Sequence, residues 1–516
     1  MKKSILLALL LCGSAAVARA QWGDQGNGTY INPILNADYS DPDVIRVGER
    51  YYMVASDFHF IGMQILESDD MVNWRLVTQV YKRFDLPGWD SNQHYAGGSW
   101  APAIRHHNGK FYIYFCTPDE GLFMTESERP EGPWSPLLQV KAIKGWEDPC
   151  PFWDEDGQAY LGHSKVGAGP IIIHKMSPDG HKLLDDGLTV YTGPVAEGTK
   201  FLKRGGWYYL SIPEGGVEPG GQTVLRSKNI YGPYEKKVVL EQGSTPINGP
   251  HQGSIVDTPQ GEWWFYHFQH TGSLGRVVHL QPMRWQDEWP VIGVDIDRNG
   301  IGEPVAVWTK PIPSEKAFLP QTSDDFEAAD LSPQWQWNHN PVNEAWSLSE
   351  HKGALTLHAL QAEKFSLARN TLTQKAMGYQ SQATLALEVG AMAEDGRAGL
   401  VCMGSQNVLL GICRRDGRSI IYRGDGKEET ELAQLKGKVV YLRLTLDVRG
   451  RNYQLSYSTD NKRFTQAGEP FFVDFGYWKG VRFGIYHYNT QQAQGYVTIP
   501  WVNYEVDAEK ALRLPK

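Results

Sequence analysis

Hydrophobic and polar positions alternate in short runs along most of the chain, a pattern that predicts β-strands. One unit recurs over the first three hundred residues: a turn glycine, an aromatic-rich strand and a second apolar strand. The units begin at Gly48, Gly109, Gly157, Gly206 and Gly261. Units of roughly 50 residues with several strands each are typical of propeller blades. We therefore predict a five-bladed β-propeller over residues 28–312, since a β-sandwich with coincidental hairpins explains five successive copies less well.

A second region follows a proline-punctuated linker that runs from Pro311 to Pro320. From there to about residue 506, short β runs alternate with turns and no helical periodicity competes with them. Leu442, Leu444 and Leu446 alternate with polar residues, as in a strand buried on one face. We predict a β-sandwich of the jelly-roll, concanavalin-like type over residues 321–512, and hence an all-β chain.

Composition narrows the class of protein. The chain has 516 residues, of which 41% are hydrophobic and 21% charged, and this excludes a disordered chain or a membrane bundle. Aromatic residues make up 12%, which suits β-strands. The net charge of -9 leaves no basic surplus to neutralise phosphates, so nucleic acid is excluded as a partner and a neutral substrate fits better.

The N-terminus has the features of an export signal. Lys2 and Lys3 precede an apolar run from Ile5 to Leu11, and Ala18-Arg19-Ala20 forms a small-residue cleavage site. We predict a signal peptide over residues 1–20 and an exported protein, periplasmic or extracellular. No apolar stretch is long enough to predict a membrane span.

Four cysteines follow the predicted signal: Cys116, Cys150, Cys402 and Cys413. An oxidising compartment permits disulfides, and Cys402 with Cys413 would be able to bridge adjacent strands. Four buried thiols are the alternative, and the sequence leaves both open.

Chemistry-bearing residues precede the repeat glycines at nearly equal spacing. They are Asp41, Trp100, Asp148, Glu197 and His251, one for each predicted blade. The first strand of a propeller blade lines the central axis, so these side chains are expected to meet in one funnel. Crowded carboxyl groups disfavour joint ionisation, which leaves one as a proton donor and another as a base. Cleavage of a glycosidic bond needs such a pair.

Other residues are expected to hold the substrate. Phe58 and Trp100 would form an apolar platform for a sugar ring, and Arg276 would hold hydroxyl groups. The alternatives are ordinary packing for the two aromatic residues and a structural ion pair for Arg276.

Two of the carboxylates have rivals. Glu147 competes with Asp148, because neighbouring residues of a strand face opposite ways. Glu214 and Glu218 compete with Glu197, since both lie in a glycine-rich loop that would rim a pocket. Spacing favours Asp148 and Glu197.

Residues 30–300 resemble the family 43 glycoside hydrolases, whose catalytic domain is a five-bladed propeller. The matching stretches are Asn32-Pro33-Ile34-Leu35, Asp41-Pro42, Trp100-Ala101-Pro102, Glu147-Asp148-Pro149, Ala196-Glu197-Gly198 and Gly275-Arg276. The second region is similar to the sandwich appended to that family's β-xylosidases, notably in Asp324-Asp325-Phe326 and from Trp335 to Pro341.

The resemblance implies roles for the candidates. Asp41 would be the general base, Asp148 the carboxylate that orients and tunes the acid, and Glu197 the general acid of an inverting hydrolase. Arg276 would contact a substrate hydroxyl. No cofactor is required, but a histidine in the position of His251 often sits beside a calcium or sodium ion.

The predicted function is an exo-acting hydrolase that releases terminal α-L-arabinofuranose, β-D-xylose or both from hemicellulose or pectin-derived glycans. Departures from the family pattern, among them Ser40, Asp43 and Thr199-Lys200, leave the preferred pentose open. Three alternatives are an endo-arabinanase, a retaining fructan hydrolase and a non-catalytic glycan-binding propeller.

Overall fold

The computed structural model describes residues 23–91, 93–314 and 321–506. The predicted signal peptide and the C-terminal end of the predicted sandwich, residues 507–512, lie outside these ranges. No helix within them is long and apolar enough to cross a bilayer.

Five antiparallel sheets of four strands each form the first part of the chain, and each sheet uses consecutive strands. Blade 1 contains Asp43–Val47, Arg50–Val54, Gln64–Ser68 and Arg75–Gln79. Blade 2 contains Trp100–His107, Lys110–Thr117, Gly121–Ser127 and Leu138–Ala142. Blade 3 contains Trp146–Trp153, Ala159–Lys165, Ile171–Met176 and Leu188–Tyr191. Blade 4 contains Lys200–Arg204, Trp207–Glu214, Gly221–Ser227 and Glu235–Leu240, and blade 5 contains Ile255–Asp257, Trp263–His270, Arg276–Gln286 and Trp289–Ile292.

Each repeat glycine turns the chain from the first to the second strand of its blade. All five have positive φ: Gly48 64°, Gly109 79°, Gly157 83°, Gly206 73° and Gly261 86°. A Cβ at Gly48 would meet nothing within 4 Å, so backbone conformation and not space selects glycine there. The predicted five-bladed propeller is confirmed.

The ring closes without a strand shared between its first and last blades. The segment before blade 1 instead lies along blade 5: Ile34 N donates to Val278 O at 2.8 Å. The Asn32 side chain donates to Leu280 O and accepts from Leu280 N, both at 2.9 Å. Thr29–Ile31 also pairs with Val307–Thr309, so both ends of the propeller are fixed to each other.

The second part of the chain is a sandwich of two sheets with eight strands each, as predicted. One sheet contains Gln336–Trp337, Leu360–Gln361, Thr371–Lys375, Gly396–Met403, Asn407–Arg415, Arg418–Gly424, Glu429–Leu435 and Arg482–Asn489. The other contains Trp346–Ser347, Leu355–His358, Gln380–Glu388, Val439–Asp447, Asn452–Ser458, Thr465–Gln466, Tyr496–Ile499 and Val502–Val506. The described residues also form three short 3-10 helices, Gly272–Leu274, Asn343–Ala345 and Phe365–Leu367. Leu442, Leu444 and Leu446 are buried, as their alternation predicted.

The sandwich packs directly on the propeller through backbone hydrogen bonds. Ile61 N donates to Trp337 O at 3.0 Å, and Val481 N donates to Ser273 O at 2.7 Å. A single hydrophobic core continues from blade residues into both sheets of the sandwich.

All four described cysteines are free and buried. The bridge considered between Cys402 and Cys413 does not form, because Cys402 lies opposite Val408 and Cys413 opposite Arg397.

Candidate active site

The predicted funnel is a cavity of about 430 Å³ at the propeller axis. Asp41, Asp148 and Glu197 all line it, although they come from three different blades. Phe58, Trp100 and Arg276 line it too. The structure therefore brings together six of the seven side chains singled out from the sequence.

One residue in each blade holds a left-handed backbone conformation where the chain enters the axis. The φ angles are 55° at Asp41, 37° at Ala101, 55° at Asp148, 61° at Gly198 and 56° at Gln252. Four of these residues carry a side chain, so the conformation costs energy that the surrounding sheet must supply. The repeated kink directs the residue itself, or the residue before it, toward the axis.

The kink in blade 3 explains why two neighbouring carboxyl groups face the same cavity. The register with the next strand shifts between Glu147 and Cys150, as at a β-bulge. Glu147 and Asp148 consequently both line the cavity and are each 5% exposed. The prediction that only one of them would face the axis is wrong, because it assumed a regular strand.

Asp41 is held by a cation and a hydroxyl group. Its Oδ1 lies 3.1 Å from Arg276 Nη1, and its Oδ2 accepts from Ser56 Oγ at 2.6 Å. Ser56 Oγ in turn accepts from Ala101 N at 2.7 Å. Arg276 is therefore paired with a carboxylate of the site itself.

Asp148 lies between opposing charges. Burial and the nearby Asp41 carboxylate raise the pKa of Asp148 to about 7, against the opposing charge of Lys200. Its Oδ2 accepts from Gly198 N at 2.7 Å.

Glu197 combines a raised pKa with a carboxyl group that no described residue holds. Burial, followed by the charges of Asp148 and Asp41, raises the pKa of Glu197 to about 8. Its carboxyl group makes no hydrogen bond to another described residue. The rival Glu214 is tied away from the cavity, since it accepts from Tyr191 and Thr223 and pairs with Lys236 at 2.7 Å.

Two aromatic side chains of the propeller and one of the sandwich form a wall. The ring centroids of Phe58 and Trp100 are 6.1 Å apart, and those of Trp100 and Trp478 are 6.2 Å apart, both edge to face. Trp478 was missed from the sequence, where the only sign is an aromatic pair, Tyr477-Trp478, that lies between Gly476 and Gly480.

Trp478 is presented by a strained turn. Gly476 and Lys479 exchange backbone hydrogen bonds of 3.1 and 3.2 Å around a two-residue loop. Both loop residues have positive φ, 56° at Tyr477 and 64° at Trp478, where hairpins ordinarily use Asn or Gly. The turn thus holds a large aromatic residue in an unfavourable conformation at the mouth of the cavity.

His251 is buried next to Gln252, which lines this cavity, but His251 does not line the cavity itself. Its Nδ1 contacts Gly249 O at 2.7 Å, its Nε2 is buried without a hydrogen-bond partner, and burial lowers its pKa to about 4. The described residues contain no group of three or more His, Cys, Asp or Glu side chains able to hold a metal ion. His251 Nε2 is the side-chain atom available to an ion here. Because calcium and sodium prefer oxygen ligands, an ion at this place would take its other ligands largely from water.

A propeller axis that gathers carboxyl groups with raised pKa beside aromatic walls is equipped to cleave glycosidic bonds. The family model for glycosyl hydrolases family 43 matches residues 30–290, and that for the β-xylosidase C-terminal concanavalin A-like domain matches residues 323–505. The chain belongs to family 43 of the glycosyl hydrolases, as its motifs indicated.

Known relatives extend along both domains. A putative β-xylosidase of Xylanibacter ruminicola is 58% identical over 463 residues, 90% of this chain and 87% of the relative. A non-reducing end α-L-arabinofuranosidase of Bacteroides ovatus is 30% identical over 387 residues, 69% of each chain. The crystal structure of a GH43 protein from Bacillus licheniformis superposes with a TM-score of 0.79 at 26% identity, covering 92% of this chain and 99% of that one.

Proposed function

We propose that this hydrolase is exo-acting and releases a terminal pentose, β-D-xylose, α-L-arabinofuranose or both, from hemicellulose or pectin-derived glycans. The observation that carries the proposal is the cavity that Asp41, Asp148 and Glu197 share with Trp478 of the sandwich. Trp478 walls the mouth of the cavity, which suits a chain end better than a chain that passes through. The names of the relatives support the two pentoses.

The proposed reaction inverts the anomeric carbon. Asp41 takes a proton from a water molecule, whose oxygen bonds to the anomeric carbon as the glycosidic C–O bond breaks. Glu197 gives its proton to the leaving oxygen, and exchange with solvent resets both carboxyl groups. Asp148 orients Glu197 and keeps its proton in place, since its charge raises the pKa of Glu197.

Positioning falls to the remaining side chains. Phe58 and Trp100 would stack against the sugar, and Arg276, held by Asp41, would donate to its hydroxyl groups. Hydrolysis needs no cofactor in this scheme. A calcium or sodium ion at His251 would add positive charge near the cavity.

The test pairs two aryl glycosides with two acid variants. The wild type should hydrolyse an aryl β-D-xyloside, an aryl α-L-arabinofuranoside or both, and proton NMR should show the inverted anomer first. Glu197→Gln should lose turnover of oligosaccharides while still binding them, and Glu214→Gln serves as the matched control. Retained activity in Glu197→Gln would remove Glu197 as the acid. Binding without turnover in the wild type would favour a glycan-binding propeller.

We also infer export to the periplasm or the cell exterior, on the strength of the N-terminal residues 1–20. Mass spectrometry of the mature protein should find Gln21 at or near its N-terminus. A protein that retains Met1 in the cytoplasm would refute the inference.

A further inference from the structure

The cavity holds a fourth carboxyl group, Glu147, that the proposed reaction does not use. Glu147 precedes the kinked residue of blade 3, as Trp100 precedes that of blade 2 and Glu197 that of blade 4. All three of these side chains line the cavity. Glu147 thus occupies the position from which neighbouring blades present side chains to the substrate space.

One oxygen of Glu147 is anchored in the cavity wall and the other is not. Oε1 accepts from Ala168 N at 3.0 Å and from Ser164 Oγ at 3.4 Å. Oε2 makes no hydrogen bond to any described residue. It is also not one of the fully buried polar atoms that lack a hydrogen-bond partner, so it retains some exposure. Because Glu147 lines the cavity, Oε2 is the atom that faces the substrate space.

The surroundings of Glu147 favour its neutral form. Burial first, then the charges of Asp148 and Glu197, raise its pKa to about 9. The pKa of the Cys116 thiol is raised by burial, by Asp148 and then by Glu147, so this thiol also lies near the carboxyl group. No cation of the described residues lowers the pKa of Glu147. Asp41, by contrast, has Arg276 at 3.1 Å. A neutral carboxyl group is a hydrogen-bond donor as well as an acceptor.

We propose that Glu147 is a substrate-binding residue whose Oε2–H donates a hydrogen bond to an oxygen of the pentose in the cavity. The proposal rests on the proposed function, because it takes the bound ligand to be a terminal pentose. The two wall contacts fix Oε1 and thereby aim the donor. Glu197 has no such anchor, which suits an acid that must follow the leaving oxygen.

The first experiment measures binding apart from chemistry. Competitive inhibition by free D-xylose and L-arabinose is compared in the wild type, Glu147→Ala, Glu147→Gln and the control Glu214→Gln, with an aryl β-D-xyloside and an aryl α-L-arabinofuranoside as reporters. Glu147→Ala should raise KM about tenfold, with a smaller change in kcat. It should also raise the inhibition constant of the pentose that inhibits the wild type more strongly about tenfold. Glu147→Gln, which restores a donor, should recover the larger part of the loss.

The second experiment measures how the inhibition constant depends on pH. A purely structural role of Glu147 would not give this constant a pH dependence that disappears in Glu147→Gln. In the wild type the inhibition constant should rise above about pH 9, because the donor proton is lost and an anion is left in the cavity. In Glu147→Gln the part of the rise above about pH 9 should be absent, since an amide does not titrate, whereas a rise near pH 8 that comes from Glu197 should remain.

Three outcomes would overturn the assignment. Wild-type inhibition constants in Glu147→Ala would show that Glu147 does not touch the sugar. An equal loss in Glu147→Gln and Glu147→Ala, with the alkaline rise unchanged, would show a structural role. A loss of kcat restored by a good leaving group would make Glu147 the general acid. Failure of the proposed function is distinct, because the wild type would then hydrolyse neither glycoside.

Discussion

Asp41 and Asp43 lie two residues apart on blade 1, and both are buried in the propeller axis, but their surroundings differ. Asp43 is reached from three other blades: Arg105 Nη1 at 2.6 Å, Ser254 Oγ at 2.6 Å and Lys200 Nζ at 3.8 Å. Although burial acts to raise it, Arg105 and Lys200 hold the pKa of Asp43 below its ordinary value. Asp148 and Glu197, which share the cavity with Asp41, have raised pKa values instead.

The difference shows what separates a structural carboxylate from a reactive one in the same buried axis. Asp43 has enough cations and donors to satisfy both of its oxygens. The cavity carboxyl groups outnumber the nearby cations, so some of them keep their protons near neutral pH. We call Asp43 with its partners one cluster and the cavity carboxyl groups the other. Lys200 interacts with both clusters, since it contacts Asp43 and also opposes the rise in the pKa of Asp148.

The largest expected effect is on kcat, from a substitution at Asp41 in the cavity. Asp41→Asn removes the proposed base and should lower kcat about 10²- to 10⁴-fold. The fold should persist, because the asparagine oxygen still accepts from Ser56 Oγ and Arg276 still has the charges of Asp148 and Glu197 nearby. Steady-state rates on both aryl glycosides measure the loss, and circular dichroism checks the fold. A rate within threefold of the wild type would exclude Asp41 as the base.

The same substitution at Asp43, the structural carboxylate, should affect the stability of the fold. Asp43→Asn leaves Arg105 and Lys200 without their carboxylate and should lower the free energy of unfolding by about 3–5 kcal/mol. Urea denaturation with Asp41→Asn as the control measures the difference. Equal midpoints for the two variants would remove the contrast between the clusters.

Lys200→Met tests the residue between the clusters. Without the Lys200 cation the pKa of Asp148 should rise further, so a larger fraction of Asp148 is neutral at pH 7. Because the negative charge of Asp148 raises the pKa of Glu197, its loss should lower that pKa. The alkaline limb of kcat/KM should move to lower pH, with activity at pH 7 down about tenfold. Lys200→Arg keeps the charge and should keep the wild-type profile. An unmoved limb in Lys200→Met would show that Lys200 serves only Asp43.

The smallest effect is expected at the wall supplied by the sandwich. Trp478→Ala removes one edge-to-face partner of Trp100 and should raise KM about 3- to 10-fold. Trp308→Ala, a change at another exposed tryptophan, is the matched control. Hydrolysis of internal linkages should also rise in Trp478→Ala if the wall enforces attack at chain ends. Unchanged product patterns would contradict that role.

Regular features of the fold could be predicted from the sequence, and irregular ones could not. Gly48 and its four counterparts marked the blades because the same turn needs the same conformation each time. Asp148 was found by spacing, but its positive φ leaves no sign in the sequence, so the inward turn of Glu147 was missed. Trp478 depends on how two domains pack, and no local pattern encodes that contact.

The turn that carries Trp478 also sets an order of events during biosynthesis. Ribosomes make the ring of blades first and the Tyr477-Trp478 loop much later, so a nascent chain with a complete ring still lacks one wall of its cavity. The complete binding cavity therefore arises only when the sandwich has folded and docked. A protein built in this way binds its glycan at full strength only when almost its whole length has been made.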